Sequence, residues 1–82
     1  MATQIGKTVQ YRIGGPDTGP VYRAARITTV ATDTVCNLSI DTEPDDGSYP
    51  TISKKEAERG LARKVAVTQG SLVGQWTTIP FP

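Results

Sequence analysis

Residues 21–41 read VYRAARITTV, ATDT and VCNLSID, two β-rich runs joined by a short polar turn, and the reading of this stretch decides the fold. Val, Ile and Thr suit a pleated, half-buried surface, and Asp33 in the turn is the expected side-chain cap for the backbone. The second run alternates cleanly, with Cys36, Leu38 and Ile40 on one face and Val35, Asn37 and Ser39 on the other. The first run, residues 21–31, alternates imperfectly. Val21, Ala25 and Ile27 share one parity and Val30 falls on the other, so a β-bulge near Thr28 and Thr29 is expected to return Val30 to the core. A strand bent in that way is long enough to serve two sheets of a small barrel.

Outward from this hairpin the chain adds strands. Residues 8–13 place Val9, Tyr11 and Ile13 on one face and Thr8, Gln10 and Arg12 on a wet one, and the Gly- and Pro-rich residues 14–20 form an exposed loop. After the hairpin, Asp41, Glu43, Asp45 and Asp46 lie in a turn-forming stretch in which Pro44 opposes regular helix. Ser53 and Glu56 have capping-box spacing, which predicts a short helix over Lys54–Arg59 stopping at Gly60, with an irregular loop as the alternative. Residues 64–69 alternate with Val65 and Val67 inward, and a last segment runs from Leu72 to the end. The sum is an all-β chain with at most one short helix. The expected fold is a small five-stranded SH3-like barrel, with an OB-like arrangement as competitor.

Composition excludes much. At 82 residues the chain is one domain, with a short N-terminal arm (1–6) and an apolar, proline-bearing C-terminal tail (77–82). A formal net charge of +1 gives no general electrostatic grip on nucleic acid. A lone Cys36 forms no intrachain disulfide, and without histidine neither the usual zinc sets nor a Ser-His triad can be assembled. No apolar run reaches the roughly 20 residues of a membrane helix, and the first residues lack the signature of a signal peptide. A protein made in a reducing cytoplasm, or carried out of it in a larger particle, is the expectation.

Together, Val9-Gln10-Tyr11-Arg12, the run from Tyr22 to Thr28, the run from Val35 to Ile40, and Gly74-Gln75-Trp76 resemble a loose group of small proteins encoded by tailed bacteriophages and prophages. That group carries a strand like R-A-A-x-I-T, another like V-N-L-x-I, and a G-x-W finish. In many of its members a second aromatic and a proline follow the Trp directly; here Thr77-Thr78-Ile79 intervenes. The resemblance implies a compact SH3-like barrel and a phage setting. The group offers no catalytic residues to transfer.

The residues that invite a functional reading are few. The acidic stretch begins like an EF-hand, but Gly47 sits one place late and Ile52 stands at the twelfth position, so a solvated turn without metal is expected. Lys54, Lys55, Arg59, Arg63 and Lys64 cluster with Glu56 and Glu58 between them, a weak nucleic-acid patch because the glutamates cancel part of the field and no aromatics are interleaved. A charged surface element beside the acidic stretch is expected, and the pairing of the two suits head-to-tail contacts between identical subunits. Arg12, Arg23 and Arg26 with Tyr11 and Tyr22 are either edge-strand solubilisers or a grip for an anion. Trp76, Ile79 and Phe81 form an apolar cluster, in which Trp76 plugs the barrel and Phe81 either folds back or docks on a neighbour.

The expectation is a non-enzymatic phage structural protein without cofactor, a small virion component such as a capsid decoration (cement) or head-tail protein, assembled in the host cytoplasm. Its expected partners are other phage structural proteins or copies of itself. The interface residues expected are Trp76, Ile79, Phe81, Tyr22, Arg23, Lys54 and Lys55. The alternative is a small binding module that inhibits a host protein or sequesters an anionic, nucleotide-like ligand through Arg12, Arg23 or Arg26; a nucleic-acid-binding barrel is a third and weaker option.

Overall fold

A computed structural model describes residues 5–78. In chain order the elements are β1 (Thr8–Gly14), β2 (Val21–Val30), β3 (Val35–Asp41), a 3-10 turn (Pro44–Ser48), α1 (Lys54–Arg59), β4 (Leu61–Thr68) and β5 (Trp76–Thr78). The five strands form one sheet in the order β4-β3-β2-β1-β5, every neighbouring pair antiparallel. The first four make a meander and the last lies beside the first. This is the expected small all-β fold, with β5 on β1 as in the SH3-like arrangement and not the Greek-key order of the OB alternative.

The sheet curls until its two outer strands meet at one end. Gln69, just past β4, bridges Trp76, the Gly70 amide donates to the Trp76 carbonyl at 2.9 Å, and the Trp76 indole N–H donates to the Val67 carbonyl at 3.1 Å. Inside this curl lie Val9, Tyr11, Ile13, Ala25, Ile27, Cys36, Leu38, Ile40, Ile52, Ala57, Ala62, Val67 and Trp76. The alternating residues of β1 and β3 thus sit inward as their period-2 pattern requires.

Two bulges re-aim the strands. In β2 the register shifts between Ile27 and Thr29, where Thr28 is squeezed out and Val30 comes back to pair with Cys36 and pack on the core. That is the bulge expected from the broken parity. In β4 the register shifts opposite Cys36 and Leu38, and Ala66 takes φ 52°, with its amide donating to the Asn37 side-chain oxygen at 2.9 Å. Two β4 residues therefore oppose one of β3, so Val67 points in while Val65 is turned out to 75% exposure. The expectation that Val65 and Val67 both face inward fails for this reason. β4 also begins earlier than expected, at Leu61, with Ala62 buried.

Polar residues correct the expectations further. Arg12, expected on a wet face, is only 5% exposed. Its guanidinium donates to the carbonyls of Ser71 and Gly15, both at 2.8 Å, and so ties the 14–20 loop to the 70–75 loop. The acidic stretch is a solvated turn at Asp41, Glu43 and Asp45, which are exposed, but not at Asp46. It winds into the 3-10 turn with Pro44 in its first positions, where a missing amide costs nothing, and its Asp46 is completely buried. In the 31–34 turn the Thr32 hydroxyl oxygen accepts from the Thr34 and Val35 amides at 3.2 and 3.1 Å, the capping expected of Asp33.

The short helix forms as its caps predict. The Ser53 hydroxyl oxygen accepts from the Glu56 amide at 3.2 Å, the Glu56 carboxylate accepts from the Ser53 amide at 3.0 Å, and Gly60 closes the helix at φ 76°. Six residues are too few for a helix to persist alone; buried Ala57 and the Thr42 hydroxyl, donating to the Glu56 carbonyl at 2.8 Å, hold it against the sheet.

Candidate functional site

The residues expected to form an interface are dispersed. Trp76 is 2% exposed and belongs to the core, so it plugs the fold and is not available to a partner. Tyr22 is half-buried on β2, and Arg23 beside it is engaged inside the molecule, its guanidinium donating to both Asp46 carboxylate oxygens at 2.9 and 2.8 Å. Burial alone would push the Asp46 carboxyl up, but the Arg23 bonds and the Glu43 amide, which donates to it at 2.8 Å, outweigh this and hold it below the usual carboxylate range. Lys54 and Lys55 are exposed on the first turn of α1. Ile79 and Phe81 lie outside the described residues, while Thr77 and Thr78, expected in the tail, belong to β5.

Arg12, Arg23 and Arg26 make no anion grip together. β1 and β2 are interior strands, so none of the three sits on a sheet edge. Arg12 and Arg23 spend their donors on carbonyls and on Asp46, and Arg26 alone is exposed. Burial pushes the Cys36 thiol up, which suits a small core side chain. Among the described residues no three His, Cys, Asp or Glu side chains stand together in a way that could hold a metal ion, and no helix is long and apolar enough to cross a membrane.

What the fold does present is an open strand edge. Beyond the closure at Gln69, β4 pairs on one side with β3 and, among the described residues, with no strand on the other. A groove of about 560 Å³ runs along this edge, with residues 63–68 as one wall, Val73, Gly74 and Gln75 as the other, and Tyr11 between them. A second hollow of about 370 Å³ continues past Arg63 to Leu61, Arg59 and Glu56. The large hydrophobic side chains exposed among the described residues are Ile5, Val65, Leu72 and Val73. Val65 and Val73 both line the groove, and Leu72 adjoins Val73 in the chain.

The electrostatics of this edge are mild and basic. The Lys64 ammonium pairs with Glu56 at 3.3 Å, and the Glu56 carboxyl is held low first by the Ser53 amide and then, against burial, by Lys64. Arg59 and Arg63 are exposed beside that pair, without a bonded partner among the described residues. Tyr11, buried and with its phenol pushed up by that burial, also lines the groove. The surface offers backbone groups, apolar side chains and spare guanidinium donors, which suit the addition of an extended chain. Sequence reasoning missed it because Val65 has the parity of a core residue, and residues 64–67 alternate as a regular strand does, with no sign of the bulge.

No protein-family model matches the chain, and comparison with curated proteins and with solved structures likewise finds no match.

Proposed function

We propose that this chain is a non-enzymatic assembly protein, a small structural component of a phage particle that works by contacting neighbouring chains. The observation that supports it most directly is the open β4 edge, which carries exposed Val65 and borders a groove also lined by exposed Val73. Exposed unpaired edges promote association; Arg63, Lys64 and the Ala66 bulge blunt this one in part, while Val65 leaves an apolar side chain open on it. The phage setting itself rests on the sequence resemblance. The polar side chains with the strongest local bonding, Arg12, Arg23 and Asp46, hold loops in place and line neither of the two hollows along β4, so binding work falls to edges and loops.

In this reading a decoration or head-tail role needs neither cofactor nor reaction. The partners are other particle proteins or further copies of the chain, and the protein resides in the virion after assembly in the host cytoplasm. Mass spectrometry of gradient-purified particles of the encoding phage is the test. The chain is expected in the particle fraction at a fixed ratio to the major proteins, and a Val65→Glu variant that still folds is expected to be depleted there. Recovery solely from particle-free lysate would overturn the reading.

A further inference from the structure

The chain continues beyond β5 as Ile79-Pro80-Phe81-Pro82. We propose that these four residues of one copy dock as a short added strand on the first part of the β4 edge of a second copy, ending beside Val65 at the groove that Val65 and Val73 line. The inference rests on the reading that the protein acts through subunit contacts, and it names the contact.

The hydrogen-bonding pattern of the segment is one-sided. In an extended strand, residues two apart present their N–H and C=O groups to the same side, so those of Ile79 and Phe81 point to one edge and those of Pro80 and Pro82 to the other. Proline carries no N–H. The segment can therefore add to one existing edge and leaves on its far side a line lacking donors, which ends the sheet there. Its apolar side chains, at 79 and 81, also share one face.

The β4 edge has the complementary features. Its exposed apolar side chain is Val65, at 75%, and Val73, at 42%, lines the same groove. The bulge at Ala66 and the closure at Gln69 limit regular pairing to the first part of β4, from Leu61 to about Val65. A strand of four residues spans about 13 Å, close to the length of that free stretch.

Direction argues for a second copy. β5 runs antiparallel to β1, from Trp76 opposite Tyr11 to Thr78 opposite Val9, and so heads away from the groove that Tyr11, Gly74 and Gln75 line. To reach that groove in its own molecule the segment would have to double back over the whole of β5 within four residues, two of them prolines with fixed φ. An acceptor edge on a second copy requires no such reversal. The contact is head-to-tail, donor segment to acceptor edge, and is small against the roughly 1,200 Å² of a standard stable interface. One such contact is weak, and repetition around a ring or on a particle strengthens it.

Sedimentation of three forms tests the proposal: the full chain, the chain ended after Thr78, and Val65→Glu. Each is first checked for a native Trp76 emission spectrum, since the shortened chain keeps β5 and the whole described core. The full chain is expected to form concentration-dependent assemblies, and the two altered forms to be monomers. Their equimolar mixture is expected to give a one-to-one complex, because one keeps the edge and the other keeps the segment. Should Val65→Glu fail to fold, a synthetic peptide of residues 77–82 added to the isotope-labelled shortened chain replaces it, with amide shifts expected at Val65 and Val73. A full chain that stays monomeric at millimolar concentration, a shortened chain that assembles as well as the full one, or a peptide that moves no resonance on β4 would overturn the proposal. If the full chain is monomeric yet present in purified particles, this contact fails and the structural role stands. If it assembles but is absent from particles, the role fails and the contact stands.

Discussion

Replacing Asp46 by Ala is expected to cost this protein a large share of its stability. Asp46 is fully buried and accepts three charge-assisted bonds, two from Arg23 at 2.9 and 2.8 Å and one from the Glu43 amide at 2.8 Å. Together they pin the 3-10 turn to β2, and through it the packing under α1. Removing one member of a buried pair costs about 3–5 kcal/mol. The Arg23 side chain keeps 28% exposure, so water recovers part of its solvation and the loss falls at the lower end, about 3 kcal/mol. A domain of this size has a total stability of about 4–12 kcal/mol, and each kcal/mol moves Tm by about 4–8 °C, so a fall of about 12–24 °C follows.

The assay is urea unfolding followed by fluorescence, for which the single, buried Trp76 is a clean reporter. Arg23→Met, which keeps the aliphatic stem, completes a double-mutant cycle. Because both substitutions break the same bonds, the double variant is expected to lose much less than the two single losses added, by at least about 1.5 kcal/mol. A loss below about 1 kcal/mol for Asp46→Ala, or additivity in the cycle, would refute the claim that this pair anchors the turn.

Two further outcomes follow from the same geometry. Asp46 and Glu56 both have folded-state carboxyls held below their ordinary values, so their contribution is fully present above the ordinary carboxylate range, about pH 4–4.5, and is lost as pH falls through the lower folded values. Urea midpoints measured from pH 6 down to pH 3 are expected to fall less steeply for Asp46→Asn than for the unaltered chain; parallel slopes would contradict this. Ala66 holds φ 52°, a left-handed conformation that disfavours a Cβ, so Ala66→Gly is expected to be neutral or stabilising by about 0.5 kcal/mol. Ala24→Gly, at an exposed position inside β2, is expected to cost about 0.5–1 kcal/mol, and equal losses at the two sites in chemical denaturation would remove the argument for backbone strain in the β4 bulge.

Local order along the chain determined most of the architecture. Period-2 alternation placed Val9, Tyr11 and Ile13 and then Cys36, Leu38 and Ile40 inside, because a pleated strand aims successive side chains to opposite faces whatever surrounds it. The parity break before Val30 announced the β2 bulge, and the Ser53 and Glu56 spacing announced α1, since a capping box is a contact between residues three apart. Everything that depended on distant partners was decided by tertiary structure alone. Arg12 meets Ser71 across 59 positions and Arg23 meets Asp46 across 23, and no local pattern distinguishes an arginine that will find carbonyls or a carboxylate inside from one left in water. The same holds for the candidate surface. Val65 became exposed because β3 pairs around a bulge, and β4 became an outer strand because β5 returned to β1; strand neighbours are chosen by the closure of the whole sheet, which no single segment encodes.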